Sequence, residues 1–332
     1  MSRTAATALA VLLSTACTGG DDAPPLLDSV VDAVDLDAAL GTDVVLYDLA
    51  PSADGLPVAL VGAAVAAQGW LVPLAGGAPT AVPAVDPGSE LVIADDGTPL
   101  VVGTALTRVG GAVLPLPLDG PPDAVLLDGD VLSLARGPRL AAVDAGTGQV
   151  RATAVAPGPV THLASMPDGD LAALVTRSGG GVDLIRLTPD LRLDGDPVEL
   201  VAEGGRPTGL RVTSDGTVVA TAYVGEAQED GRLVTVVDGR VQTAVDLSGT
   251  DDTALDLAVI GGMAYVVLSA SYHPAELTAV DLVTGERTGT VGLCGGAGAF
   301  GALASSADGG TLTVVGSCID ADGPSTTAFV IG

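Results

Sequence analysis

A short sequence unit recurs along the chain, and this internal repeat restricts the fold more than any other feature. Each complete copy has a leucine followed, five residues later, by the Asp of an Asp-Gly turn. The complete copies begin at Leu49, Leu91, Leu163, Leu210 and Leu303. A sixth copy begins at Leu257 and has Gly262 in the Asp position. The last four leucines are 47, 47 and 46 residues apart, so each unit has the size of one supersecondary motif.

The repeated unit is rich in short β-type segments. Runs of Val, Ala, Leu and Thr follow the turns, for example at residues 171–176 and 264–269. Four short strands in about 45 residues are typical of a propeller blade. The 72 residues from Leu91 to Leu163 hold two shorter units, with Asp128-Gly129 as the extra turn. We therefore predict an all-β fold, a β-propeller of seven four-stranded blades, with six or eight blades as alternatives.

The last unit is too short to supply four strands of its own. Residues 326–332 are expected to form its third strand, after which the chain ends. The Val- and Leu-rich segment 26–36 could pair with it as the fourth strand and so remove two exposed sheet edges. The alternative is that residues 18–42 are a loose linker. We predict ring closure by the N-terminal strand, and a single propeller domain at residues 26–332.

The N-terminus has the pattern of an export signal. Arg3 precedes a short apolar stretch, residues 5–13, and small residues lead to Cys17. This pattern resembles the lipobox of bacterial lipoproteins, in which the cysteine is acylated with chains such as palmitate and becomes the first residue. The resemblance implies a signal peptide at 1–16 and a lipidated Cys17 with a flexible tether at 17–25. Ser14 stands where that pattern usually has Leu, so ordinary signal peptidase cleavage with an unlipidated Cys17 remains an alternative.

The export signal predicts the location of the protein. We expect a lipid-anchored protein of the cell envelope, whose first partner is the lipid bilayer. In a cell with two membranes, Thr18 after the cysteine, rather than Asp, favours the outer membrane. Cys294 and Cys318 are then the remaining pair of the three cysteines, and an oxidising compartment predicts a disulfide between them. Two free, buried thiols are the alternative.

The chain is strongly acidic. It has 41 acidic and 13 basic residues, a net charge of −28, and every basic residue is Arg. Such a surface repels the phosphate backbone of nucleic acids, so nucleic acid is excluded as a partner. Cations and basic partners are favoured by the same field.

The blades resemble those of YVTN-type and WD-repeat-like propellers. The residues that carry the resemblance are the Asp-Gly turns and two copies of Val-Asp-x-x-Thr-Gly, at 143–148 and 280–285. The resemblance implies a fold and no particular activity. Quinone-dependent dehydrogenases of related fold need several docking tryptophans, whereas this chain has one, Trp70.

The first candidate site lies at the propeller axis. The residue before the repeated leucine is polar in four blades, and the first strand of each blade lines the central channel. These four residues are Asp48, Glu90, His162 and Asp256. They could converge on a divalent cation such as calcium, or on a small polar ligand; no other cofactor is expected. Alternatively, each is separately solvated or bonded to a strand end.

The second candidate site is a set of longer loops between the second and third strands of the later blades. Exposed aromatic and charged loop residues can mark a binding face, although ordinary solvated loops are the alternative. The candidate residues of this face are Glu226, Glu229, Tyr272, His273 and Glu276.

These features favour a function in binding. We expect a membrane-tethered, non-catalytic binding or scaffold propeller that acts as a monomer on an unidentified protein or polysaccharide. The alternative is an enzyme, a metal-assisted hydrolase or lyase that uses the axial acidic residues.

Overall fold

The chain folds into seven four-stranded antiparallel sheets arranged as a β-propeller. The computed structural model describes residues 26–52, 55–64, 68–83, 85–224, 230–247, 252–270, 274–306, 308–320 and 323–332. The innermost strands of successive blades contact one another, and the last contacts the first, so the ring is closed. The predicted fold and the count of seven blades are confirmed.

The first three blades follow the predicted order of strands, each paired with the next along the chain. Blade 1 consists of β2 (Val44–Ser52), β3 (Gly55–Ala63), β4 (Gly69–Pro73) and β5 (Thr80–Val82). Blade 2 consists of β6 (Glu90–Ile93), β7 (Pro99–Val102), β8 (Ala105–Arg108) and β9 (Val113–Pro115). Blade 3 consists of β10 (Ala124–Asp128), β11 (Val131–Arg136), β12 (Arg139–Asp144) and β13 (Val150–Val155).

Blades 4 to 6 have the same arrangement. Blade 4 consists of β14 (Val160–Ser165), β15 (Leu171–Thr176), β16 (Val182–Leu187) and β17 (Val198–Val201). Blade 5 consists of β18 (Gly205–Val212), β19 (Val218–Val224), β20 (Asp230–Val237) and β21 (Arg240–Asp246). Blade 6 consists of β22 (Asp252–Ile260), β23 (Met263–Ala270), β24 (Glu276–Asp281) and β25 (Arg287–Gly292).

Blade 7 joins the two ends of the chain. Its inner strands are β26 (Gly298–Ser305), β27 (Leu312–Asp320) and β28 (Gly323–Ile331), and its outer strand is the N-terminal β1 (Val30–Asp35). A short helix, α1 (Leu36–Leu40), then leads into blade 1. The Asp37 side chain in α1 accepts hydrogen bonds from Val44 N and Thr326 N, both at 2.7 Å. The predicted ring closure is therefore confirmed, and Asp37 links blades 1 and 7.

The two faces of the disc differ in their connections. The turn face carries the turns from first to second strands, where Gly169 (φ 90°) and Gly216 (φ 88°) adopt a backbone conformation that side chains disfavour. The loop face carries the loops from second to third strands and the links between blades. Because β1 runs antiparallel to β28, residues before Val30 enter the ring at the turn face, beside Gly332.

The core lies between adjacent blades, because each blade has two apolar faces and must bury both. Leu, Val and Ala side chains from neighbouring sheets form these layers, as in the cluster that blades 4 and 5 share. Cys294, after β25, is bonded to Cys318 in β27, with an S–S distance of 2.01 Å and a Cα–Cα distance of 5.7 Å. The predicted disulfide is confirmed and lies toward the loop face. Among the described residues, no helix is long and apolar enough to span a membrane.

Candidate functional site

The axial residues are placed by a recurring irregularity in the innermost strands. In blades 1, 4, 5, 6 and 7 the pairing of the first and second strands shifts just before the repeated leucine. Such a bulge bends a strand and redirects the side chain that follows it. Asp48, His162 and Asp256 each follow a bulge of this kind.

Asp48 and Asp256 are engaged by the backbone of two blades each. Asp48 accepts from its neighbour Leu49 N at 2.7 Å and from Leu91 N, in blade 2, at 2.6 Å. Asp256 accepts from Leu257 N at 2.7 Å and from Leu303 N, in blade 7, at 2.9 Å. In both cases one carboxylate oxygen bonds its own strand and the other bonds the next blade. We call this arrangement the carboxylate clamp; it joins blade 1 to 2 and blade 6 to 7.

Arg211 supplies positive charge beside the carboxylates. It follows the repeated Leu210 in blade 5, donates to the Leu210 carbonyl at 2.8 Å, and lies 3.3 Å from Asp256 Oδ1. The repeat pattern did not point to Arg211, because this residue lies one position after the repeated leucine rather than one before it. An Arg in the middle of an inner strand was the only available signal.

The environment of the propeller axis destabilises the charged form of the axial carboxyl groups. Burial raises the pKa of Asp48 to about 7, against the lowering effect of its hydrogen bonds from Leu91 and Leu49. Burial also raises the pKa of Glu90 to about 8, and the charges of Asp48 and Asp256 add to this effect. The pKa of Asp256 is raised by burial, although Arg211 opposes the shift. These carboxyls therefore retain protons at a higher pH than free carboxyls do.

Glu90 differs from the other two axial acids because it is not part of a clamp. It begins β6, and no described residue is hydrogen-bonded to its carboxyl group. A mostly buried carboxyl group without a donor has nothing to stabilise its charged form. Of the predicted axial residues, Glu90 is the one whose oxygens are available to a ligand.

His162 is neutral in this environment. Burial, followed by the positive charge of Arg211, lowers the pKa of its ring to about 4. Its Nδ1 lies 3.0 Å from Thr161 Oγ1. His162 and Arg211 thus interact through the channel, although they come from blades 4 and 5.

The structure brings all four predicted axial residues into the channel wall but gives them different roles. In the described part of the chain, no group of three or more His, Cys, Asp or Glu side chains is placed to hold a metal ion together. Instead, two carboxylates bind backbone amides and one of them also contacts Arg211. A cavity of about 530 Å³ opens from the axis on the turn face, and Arg211, Ser214 and Ser305 are among its lining residues.

The predicted loop-face site is described at only one of its residues. Glu226, Glu229, Tyr272 and His273 lie outside the described residues. Glu276 begins β24, and its Oε1 accepts from Arg287 Nη2 at 3.1 Å. This contact places Glu276 in an ion pair within blade 6, so its role in a binding face stays a prediction.

A second cavity on the loop face involves basic residues. It has a volume of about 630 Å³ and lies where the links before blades 2 and 3 approach blade 3. Arg136 donates to the Pro121 carbonyl at 2.6 Å, and Arg139 lies 3.0 Å from Asp119. Both of these arginines are therefore occupied by contacts within the protein.

The fold and these contacts define the class of protein: a seven-bladed β-propeller in which two carboxylates each join the innermost strands of adjacent blades. No protein-family model matches the chain, and no curated protein matches it. Many solved structures do match. One is Kuenenia stuttgartiensis hydrazine synthase, with a TM-score of 0.65 and 14% identity over 81% of this chain and 92% of that chain. At this identity the likeness shows the propeller fold alone.

Proposed function

We propose that the protein is a non-catalytic binding propeller, held at a membrane of the cell envelope by lipid on Cys17. The observation that carries the non-catalytic role is the carboxylate clamp. Asp48 and Asp256 use both carboxylate oxygens to bind backbone amides of adjacent blades. Carboxylates so engaged hold adjacent blades together, and a metal ion or substrate would have to compete with these backbone amides for their oxygens.

The entry point of the N-terminal segment supports a defined orientation at the membrane. Leu27 packs into the turn-face end of the layer between blades 6 and 7, and Leu27 N donates to Tyr265 Oη at 3.2 Å. The ten residue steps from Cys17 to Leu27 could extend by at most about 36 Å, and this length limits the distance between that point and a lipid on Cys17. The turn face would then lie toward the bilayer and the loop face away from it. The monomer would present the loop face to a protein or polysaccharide of the envelope.

Two measurements test the tether and its direction. The Cys17→Ser chain, expressed in a bacterium, should leave the membrane fraction, whereas the unaltered chain should stay there. The orientation can be measured by energy transfer from a dye on the protein to an acceptor lipid in vesicles. The dye is attached at Ser214→Cys, on the turn face, or at Asp43→Cys, on the loop face. Because the strands of a blade span about 20–30 Å, transfer should be clearly stronger from position 214. Equal membrane retention of the Cys17→Ser chain would refute the lipid anchor.

The enzymatic alternative makes a different prediction about the axis. A metal-assisted hydrolase or lyase would need Asp48 and Asp256 as metal ligands, at the cost of their hydrogen bonds to backbone amides. Equilibrium dialysis against Ca²⁺ and Zn²⁺ distinguishes the two functions. Tight binding that is lost in the Asp48→Ala, Asp256→Ala double variant would support the enzyme. We expect no stoichiometric binding that depends on these two residues.

A further inference from the structure

An open groove lies between blades 4 and 5 on the turn face. It has a volume of about 600 Å³ and is lined by residues from the turns and strands of both blades. Its floor is apolar and consists of Ala172, Leu184, Val198, Val218 and Val236. The groove is thus the outer end of the core layer that the two blades share.

The equivalent space between blades 6 and 7 is filled by an extended segment of the chain itself. Leu27 lies there at 3% exposure, packed in one cluster with Leu277, Leu312 and Ile331. Strand register makes these three residues the counterparts of Leu184, Val218 and Val236. The protein therefore shows how an extended segment with a leucine side chain covers the end of such a layer.

One residue difference contributes to the openness of the groove between blades 4 and 5. Ala173 pairs with the repeated Leu163, as Val266 pairs with the repeated Leu257. Ala172 is consequently the counterpart of Tyr265, whose ring fills the space beside Leu27 and whose hydroxyl binds its backbone. An alanine at this position removes an entire phenol ring from the wall.

The rim of the groove is acidic. Its carboxylates come from both blades, at Asp168, Asp194, Asp196, Asp215 and Asp238. Among the described residues that line the groove, Arg186 is the one basic residue, and it lies 2.5 Å from Asp168, 2.6 Å from Asp170 and 3.3 Å from Asp194. Asp196 and Asp238 form no ion pair with a described residue. The groove therefore combines an apolar floor with carboxylates that lack a basic partner.

We propose that this groove binds an extended, basic segment of a partner protein, with one aliphatic side chain on the floor and flanking Arg or Lys residues at the rim. The segment would lie as Leu26–Ser29 lies between blades 6 and 7. The charge of the rim selects against the other occupants. The chain's own tether, residues 17–25, carries Asp21 and Asp22, and a second copy of the chain carries a net charge of −28. Both would be repelled by the rim.

The inference rests on the proposed binding role and adds a second binding surface, on the turn face, which in the proposed orientation lies beside the bilayer. It does not depend on the lipid anchor. The test is the affinity of a fluorescein-labelled hexapeptide, Gly-Arg-Arg-Leu-Arg-Gly, for the full chain, measured by fluorescence anisotropy. The rim variant is Asp196→Asn with Asp238→Asn. The matched control is Asp43→Asn with Asp95→Asn, which removes the same charge from two exposed positions outside the groove. A second variant, Ala172→Tyr, introduces the side chain that fills the counterpart position in blade 6.

We expect binding that weakens about tenfold in the rim variant and less than about twofold in the control variant. A peptide with Ser in place of Leu should bind about tenfold more weakly than the parent peptide, because its apolar contact is lost. Ala172→Tyr should weaken binding as well if the chain remains folded. Three results would each overturn the inference: equal weakening in the rim and control variants, equal affinity for the Leu and Ser peptides, or no binding at about 1 mM peptide. None of these results would affect membrane retention through Cys17, so failure of this site remains distinct from failure of the anchor.

Discussion

The channel carboxyl of Glu90 allows the sharpest test of the axial electrostatics. Its pKa is raised from 4.5 to about 8, chiefly by burial, and no described residue donates to it. A raised carboxyl pKa means that the folded state holds the proton more tightly than the unfolded chain. The resulting stabilisation is fully present below pH 4.5 and is lost as the pH rises through 8.

The size of this effect follows from the pKa shift. One unit of pKa is worth about 1.4 kcal/mol, so about 3 units between pH 5 and pH 8 give an upper bound of about 4 kcal/mol. Glu90 is only partly buried, so solvent screening reduces that value, and we expect about 2–4 kcal/mol. Glu90→Gln removes the titrating group at nearly constant volume. The variant should therefore match the unaltered chain at pH 5 and exceed its free energy of unfolding by about 2–4 kcal/mol at pH 8.

The assay is urea unfolding at several values of pH between 5 and 8, followed by the fluorescence of the single tryptophan, Trp70. Comparison of the two chains at each pH cancels the titration of groups that do not interact with Glu90. Asp48 and Asp256 do interact with it, so the difference reports the titration of Glu90 together with its effect on these two carboxyls. The control is Glu286→Gln, because Glu286 is exposed in a turn of blade 6; it should change the unfolding free energy by less than about 0.5 kcal/mol at every pH. A Glu90→Gln chain whose difference from the unaltered chain is constant from pH 5 to pH 8 would refute the reasoning.

Three further predictions concern the parts that close the ring. Asp256→Ala should lower the free energy of unfolding by about 2–4 kcal/mol, since it removes the acceptor of two backbone amides and the partner of Arg211. Urea unfolding measures this loss, and a value below about 0.5 kcal/mol would show that the clamp contributes no stability. Reduction of the disulfide between Cys294 and Cys318, which are 24 residues apart in sequence, should lower stability by about 3 kcal/mol. Calorimetry with and without dithiothreitol measures this loss, and the Cys294→Ser, Cys318→Ser chain should not respond to the reductant. Leu27→Ala should lower the free energy of unfolding by about 2–3 kcal/mol in urea, because Leu27 is 3% exposed. Leu193→Ala is the control: Leu193 is 51% exposed, and its loss should be below about 0.5 kcal/mol. Equal losses would mean that Leu27 is not part of the core.

The fold was predictable because a blade is a local structure. The repeated leucine, the Asp-Gly turn and the β-rich runs lie within about 45 residues, so strand pairing within a blade follows from nearby sequence. The same reasoning predicted the N-terminal strand, since an incomplete last blade leaves an edge to be paired. The disulfide was predictable because only two cysteines remained once Cys17 was assigned to the lipid.

The roles of the axial residues were not predictable in the same way. The repeat placed Asp48 and Asp256 in the channel wall, but their second partners, Leu91 N and Leu303 N, belong to the next blade. Whether a carboxylate there meets an amide, an arginine or water depends on the bulge that turns its side chain and on the spacing of adjacent blades. Glu90 occupies the same repeat position and lacks these contacts, although its sequence context is similar.

The sequence by itself indicated an all-β propeller, the order of its strands, seven as the favoured number of blades and closure by the N-terminal strand, because these depend on local periodicity and on satisfying strand edges. Only the tertiary structure decided which axial acidic residues join the blades and which one has no hydrogen-bond donor among the described residues. It also decided which of two equivalent grooves is filled, since Leu27 N donates to the hydroxyl of Tyr265, which is 238 residues away in sequence. Electrostatic and packing effects of this kind depend on distances between residues that are far apart in sequence, and no repeat pattern encodes those distances.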